Sequence, residues 1–170
     1  MADNETRDIF IVGLRNAHAM ENQALSIMKP QLSRIENYPE VAEMLQRHIT
    51  ETEGQIHRIE EILTGLNAGH STLKDMALSL TGSMAALGHT VAGDEILKNS
   101  FANFAFENFE IAAYKSLLTV AEAGGFKEAI GGLKENLAEE KAMADWLDAH
   151  VASLTEKFLS LRVAGKSAKV

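Results

Sequence analysis

Apolar residues recur every three or four positions along most of this chain, the period of a helix buried on one side. No segment sustains the two-residue alternation of a half-buried strand. Ile11, Leu14, Leu25, Met28 and Leu32 share one face of a first helix, predicted from about residue 7 to about 36, with Pro30 placed to kink it. Pro39 stands where a first-turn proline is tolerated, so a second helix is predicted from residue 39 to about 66. Val41, Met44, Leu45, Ile56, Ile59, Ile62 and Leu63 carry its apolar face. A third helix, with Asp94 as N-cap, is predicted over about 95–123, stopped by Gly124 and Gly125. Phe101, Phe104, Ile111, Leu117 and Leu118 are its expected buried surface. Ile130, Leu133, Leu137, Leu147, Val151 and Leu154 mark a fourth over about 126–162, and the tail AGKSAKV is expected to fray.

Residues 67–93 hold Gly69, Gly82, Gly88 and Gly93 and only a weak apolar pattern from Leu73 to Leu87. They read as a long crossover with a short helix inside. Two helix pairs with short internal turns, joined by one long link, predict an all-α, ferritin-like four-helix bundle formed by the whole chain as one domain. The link must be long because the second and third helices run the same way, so the chain has to travel back along the bundle.

Composition narrows the chemistry. With 16 Lys and Arg against 24 Asp and Glu the formal charge is −8, which disfavours nucleic acid and anionic lipid as partners. The chain has no cysteine, so a metal would have to bind through carboxylate oxygen or imidazole nitrogen. The start MADNETRDIFIV is acidic where a secretory segment would be basic, which points to the cytoplasm. No apolar run approaches the length of about 18 residues needed to span a bilayer. Neither a phosphate-binding glycine loop nor a nucleophile elbow occurs, so nucleotide and Ser-nucleophile chemistry have no support.

The informative positions are polar residues that interrupt the apolar stripes. Leu14, His18, Glu21, Leu25 and Met28 step by three or four, so Glu21 faces inward beside His18. Met44, His48, Glu51, Gln55 and Ile59 do the same in the second helix, and Glu107, Glu110 and Tyr114 in the third. Leu133, Leu137, Glu140, Ala144 and Leu147 carry a lone carboxylate inward from the fourth. Carboxylates buried together repel one another and lose hydration unless they are protonated, paired or metal-bound. Lys and Arg fall mostly on other faces, as at Arg47, Arg58, Lys115 and Lys141. Hard, bridging oxygens with one or two imidazoles suit two divalent ions, iron first, with manganese or zinc as alternatives. The predicted ligands are Glu21, Glu51, Glu107, Glu110, Glu140 and His48, supported by His18 and Gln55, with the Tyr114 hydroxyl bonded to a neighbouring carboxylate.

The segments LRNAHAMENQALSIMKPQL, HITETEGQIHRIEEIL, FENFEIAAYKSL and LAEEKAMADWL resemble the YciE/YciF family of ferritin-like stress proteins, and the similarity covers nearly the whole chain. The resemblance implies a ferritin-like bundle with a di-metal centre, a cytoplasmic location and a homodimer. Two positions depart from the wider ferritin and rubrerythrin pattern of Glu-x-x-His: Gly54 follows Glu51 at that spacing, and Met143 follows Glu140. His48, one turn before Glu51, and His18, beside Glu21, are the two candidate substitute nitrogen donors. Three functions fit: a di-iron oxidoreductase that oxidises ferrous iron with oxygen or peroxide, a metal storage or sequestration protein, and a helical stress-response scaffold without catalysis.

Overall fold

A computed structural model describes residues 2–68 and 92–170. Its elements are α1 (Ala2–Leu32), α2 (Pro39–Gly65), α3 (Glu95–Gly124) and α4 (Lys127–Val163), with no strand among the described residues. Both α1 and α4 pack against α2 and against α3, which closes a four-helix ring. Arg34, just past the end of α1, binds Glu95 at the start of α3, so α1 and α3 run antiparallel. Lys157 near the end of α4 binds Glu40 at the start of α2, so that pair is antiparallel as well. With short turns joining α1 to α2 and α3 to α4, α2 and α3 run the same way across the diagonal. This is the ferritin-like arrangement, and it puts the end of α2 and the start of α3 at opposite ends of the bundle. Residues 69–91, where most of the crossover and its short helix were predicted, lie outside the described residues.

Local chemistry explains where helices begin and end. Pro39 occupies the first turn of α2, where its missing N–H would have no partner in any case. Gly125 takes a left-handed φ of 70° after α3, and the Phe126 N–H reaches back to the Ala121 carbonyl at 2.9 Å. A Cβ at Gly124 would collide with the Phe126 ring, which stacks on Phe10 at 4.6 Å and closes that end of the core. Asp94 is the N-cap of α3 without a capping side-chain bond, because its carboxylate faces Lys98 at 2.8 Å. The first helix starts ahead of residue 7 and stops at Leu32 rather than near 36, since Pro30 in its last turn has no N–H with which to extend the ladder.

The core runs through Phe10, Leu14, Leu45, Ile59, Leu133, Leu147 and Leu154, all essentially sealed from solvent. Each such side chain contributes about 1.5–3 kcal/mol on burial. Two expectations fail. Phe101 is 51% exposed, and Phe106 fills the core in its place. The inward face of α3 is phased by Ile96, Asn103, Glu107, Glu110 and Tyr114, and Phe101 falls off that stripe. Nor does the tail fray as predicted: the Tyr38 hydroxyl donates to the Ala168 carbonyl at 2.8 Å, and the Ile96 N–H to the Lys169 carbonyl at 2.9 Å. The second of these bonds satisfies a free N–H in the first turn of α3, which periodicity alone does not reveal.

Candidate metal centre

Each helix contributes to one buried polar layer at mid-bundle: Glu21 from α1, His48 and Gln55 from α2, Glu107, Glu110 and Tyr114 from α3, and Asn136 and Glu140 from α4. Spacings of three put His48 and Glu51 on one face of α2, and Glu107 and Glu110 on one face of α3. One potential ligand atom from each of His48, Glu107, Glu110 and Glu140 lies within 4.8 Å of the others. The His48 ring is held at both nitrogens. Nδ1 lies 3.1 Å from Glu51 Oε2, and Nε2 lies 3.2 Å from Glu107 Oε2 and 3.5 Å from Glu140 Oε2.

These contacts set the charges. Burial pulls the His48 imidazole down, but hydrogen bonds to Glu107, Glu140 and Glu51 outweigh it and push it up to about 12. Burial also drives Glu107 up to about 8 against the pull of His48. Glu21 and Glu110 rise well above the usual carboxyl range, by burial first and then by neighbouring carboxylates. Glu140 stays low despite burial because His48 and the Glu107 carboxyl bond to it, and Glu51 stays low through its bond to His48. With protein groups alone, the layer holds an imidazolium amid partly protonated carboxyls.

Hydrogen bonding leaves a surplus. Among the described residues, both oxygens of Glu110, Oε2 of Glu21, Oε1 of Glu140 and the buried Gln55 amide have no hydrogen-bond partner. Buried polar atoms are nearly always satisfied, so a cluster of orphans needs a cause. Unpartnered carboxylate oxygens around an imidazole are the donors a hard or borderline divalent cation takes, and the cluster fits a metal on that ground. Glu51, 26% exposed, lies at the margin, while Glu21 reaches the cluster mainly through its charge.

A hydrogen-bonded chain fixes Glu21. The Tyr114 hydroxyl donates to Glu21 Oε1, Asn136 Nδ2 donates to the Tyr114 oxygen at 2.9 Å, and Arg58 donates to Asn136, Glu135 and Glu139. Sequence reasoning passed over Asn136 and Arg58 as members of the site. Asn136 could have been found, because Leu133, Asn136, Glu140 and Leu147 also step by helical turns. Arg58 had no such signal, since only the packing of α2 on α4 lays its stem against Gly132 and brings its head to Asn136, Glu135 and Glu139. His18 does not support Glu21; it is turned to Glu60 on α2 at 3.0 Å. Of the other described histidines, His57 is exposed beside Glu61, and His150 stacks on Trp146 at 4.0 Å.

Fold and site together define a ferritin-like helical bundle with a buried His and Glu cluster that could bind a metal. Residues 5–160 match the family described as Domain of unknown function (DUF892). The chain is 30% identical over 143 residues to Protein YciF of Escherichia coli (strain K12), covering 79% of this chain and 83% of that one. It therefore belongs to this family, the YciE/YciF-like ferritin-like proteins. The crystal structure of a protein from Xanthomonas campestris pv. campestris aligns with a TM-score of 0.77 at 30% identity, over 92% of this chain and 98% of that one. That of the E. coli stress protein YciF aligns with a TM-score of 0.73 at 27% identity, over 89% and 98%. No helix among the described residues is long and apolar enough to cross a membrane.

Proposed function

We propose that the whole chain works as one ferritin-like domain holding two divalent ions, iron first and manganese or zinc as alternatives. In this reading it oxidises ferrous iron with peroxide or oxygen during stress, in the cytoplasm and as a homodimer. The ligands would be Glu21, Glu51, Glu107, Glu110, Glu140 and His48. The observation that carries the reading is the set of buried carboxylate oxygens with no hydrogen-bond partner among the described residues. Five carboxylates nearly balance two divalent ions, whereas the same five alone would leave an acidic core.

Bound iron would supply the redox step. The chain's own residues do the rest: Glu51, at the margin, offers an arriving cation its first charged oxygen, and His48 must release its proton before its nitrogen can bind. Tyr114 and Asn136 hold Glu21 in one orientation, and Phe106, Leu14 and Met143 keep bulk water away from the layer. Exposed Ile9 and Phe109, beside a groove floored by Gly13 and Ala17, offer an apolar surface between α1 and α3 for a symmetric dimer.

The scaffold reading has one specific observation in its favour. The charged His48 and the raised carboxyls already neutralise much of the layer without metal. Titration of the chelator-treated protein with ferrous iron or manganese separates the readings. Two equivalents bound, with a rise in melting temperature and consumption of peroxide or oxygen, support the proposal. Tight binding without turnover leaves storage or sequestration, and no binding with an unchanged melting curve leaves the scaffold.

A further inference from the structure

The hydrogen-bonded chain that ends on Glu21 begins at an arginine, and an arginine gives it a direction. A guanidinium carries N–H donors and no acceptor, and it keeps its charge inside proteins. Arg58 is held from outside by Glu135 at 2.9 Å and by Glu139, and its Nε donates inward to Asn136 Oδ1. Asn136 is fully buried, so bulk water does not compete for its amide. That amide is the one link in the chain able to face either way, because its accepting oxygen and donating nitrogen have nearly the same shape.

With Oδ1 bound to a head that can only donate, Nδ2 faces the core. It lies 2.9 Å from the Tyr114 oxygen and 3.5 Å from the Gln55 backbone carbonyl, the second at the limit of a hydrogen bond. The Tyr114 oxygen therefore accepts, and its single O–H goes to its other partner, Glu21 Oε1. One oxygen of Glu21 is thus occupied, while Oε2 is buried with no hydrogen-bond partner among the described residues. A reversed Asn136 amide would undo this, because its oxygen would compete with Glu21 for the tyrosine proton and release Oε1.

We infer that Arg58 is a positioning residue of the metal centre: it sets the direction of the Asn136 and Tyr114 hydrogen bonds, so that Glu21 meets a divalent ion through Oε2 alone. Glu21 is then a terminal ligand of one ion, not a group that chelates or bridges with both oxygens. The metal half of this inference rests on the proposed function; the direction of the bonds does not.

The test uses the full chain carrying Tyr38→Phe, which leaves Tyr114 as the sole tyrosine. Arg58→Met keeps an apolar stem and removes every donor, and Arg58→Lys restores a cation that only donates. Glu135→Ala takes away an outer partner of Arg58 and leaves the inner bonds alone. Asn136→Leu, which strips the Tyr114 oxygen of its donor, gives a reference. First, the C–O stretch of isotope-labelled tyrosine is read by infrared on metal-free protein, since its position differs between a hydroxyl that both donates and accepts and one that only donates. Arg58→Met should shift the band toward the Asn136→Leu position, while Arg58→Lys and Glu135→Ala keep the parent position. Second, affinity for cobalt by calorimetric titration should fall about tenfold in Arg58→Met and recover in Arg58→Lys, as expected of an outer partner of a metal ligand. The parent band in Arg58→Met, or a shifted one in Glu135→Ala, overturns the role of Arg58. No recovery of either signal in Arg58→Lys assigns the loss to packing and overturns it as well. A shifted band with unchanged cobalt affinity overturns the consequence for Glu21. A parent chain that takes up no cobalt refutes the proposed function, while the tyrosine band still decides the direction of the bonds.

Discussion

Two carboxylates on the same helix, Glu95 and Glu110, are both fully buried, and their surroundings send them opposite ways. Glu95 sits at the bundle end with the Arg34 guanidinium 2.7 Å from Oε1 and the Lys169 ammonium 3.3 Å from Oε2. Burial pushes its pKa up, but the two cations more than reverse that, so it is held ionised. Glu110 sits about four turns further on, with no cation of its own and two orphaned oxygens among the described residues, and burial among Glu21, Glu140 and Glu107 drives it up. Burial therefore does not decide what a carboxylate is for. The first pins the chain's tail and α1 to α3, whereas the second has valence left over for something the protein does not itself provide.

The largest contrast should come from removing each carboxylate's defining feature. Glu110→Ala should weaken binding of ferrous iron or manganese about 100-fold or more by calorimetric titration, since even outer-shell partners of metals are worth 10–100-fold. The same variant, when metal-free, should lose less melting temperature from pH 5 to 9 than wild type, because it deletes a carboxyl whose pKa burial raises. An unchanged affinity would show that Glu110 is no ligand.

At the other end, Arg34→Ala leaves Glu95 buried with only Lys169 and should cost about 3 kcal/mol in urea unfolding, without altering metal affinity. If metal binding fell in step with stability, the two regions would not be independent.

Proton linkage gives the next effect. Groups whose folded pKa is raised, Glu21, Glu107 and Glu110, stabilise fully below their ordinary value of 4.5 and lose that contribution as pH rises, for Glu107 through about 8. His48 acts in the same direction, with full stabilisation below 6.5 and loss on the way to about 12. Glu95, Glu51 and Glu140 are lowered, so their contributions exist above 4.5 and vanish in acid. Metal-free protein should therefore be most stable near pH 5 and lose melting temperature toward pH 9. Metal should flatten that slope, because the ion takes the place of the protons. A metal-free melting temperature that rises from pH 5 to 9 would contradict this assignment of charges.

The smallest effect is expected at the bundle end. Tyr38→Phe removes the hydroxyl bond to the Ala168 carbonyl and should cost about 1 kcal/mol, with faster amide exchange confined to residues 166–170. Global exchange at the same rate would mean that the tail is not a separate unit.

Helical period, the proline at 39 and the paired glycines at 124 and 125 were enough to read four helices and the inward direction of Glu21, His48, Glu107, Glu110 and Glu140 from the sequence. These are local properties: a repeat near 3.6 residues and a required backbone angle act within a few positions of the chain. Phasing within α3 is less legible, because its stripe is built of Asn and Glu as much as of apolar residues, and so the apolar pattern predicts Phe101 as core where the structure buries Phe106. Only the packed bundle could decide which carboxylates find cations. Glu95 meets Arg34 across 61 positions, Tyr114 meets Glu21 across 93, and Tyr38 meets the tail across 130. Nothing in the spacing of Glu95 and Glu110 on their own helix tells them apart. Their difference comes from the charges that α1 and the returning tail bring to one end of the bundle and withhold from its middle.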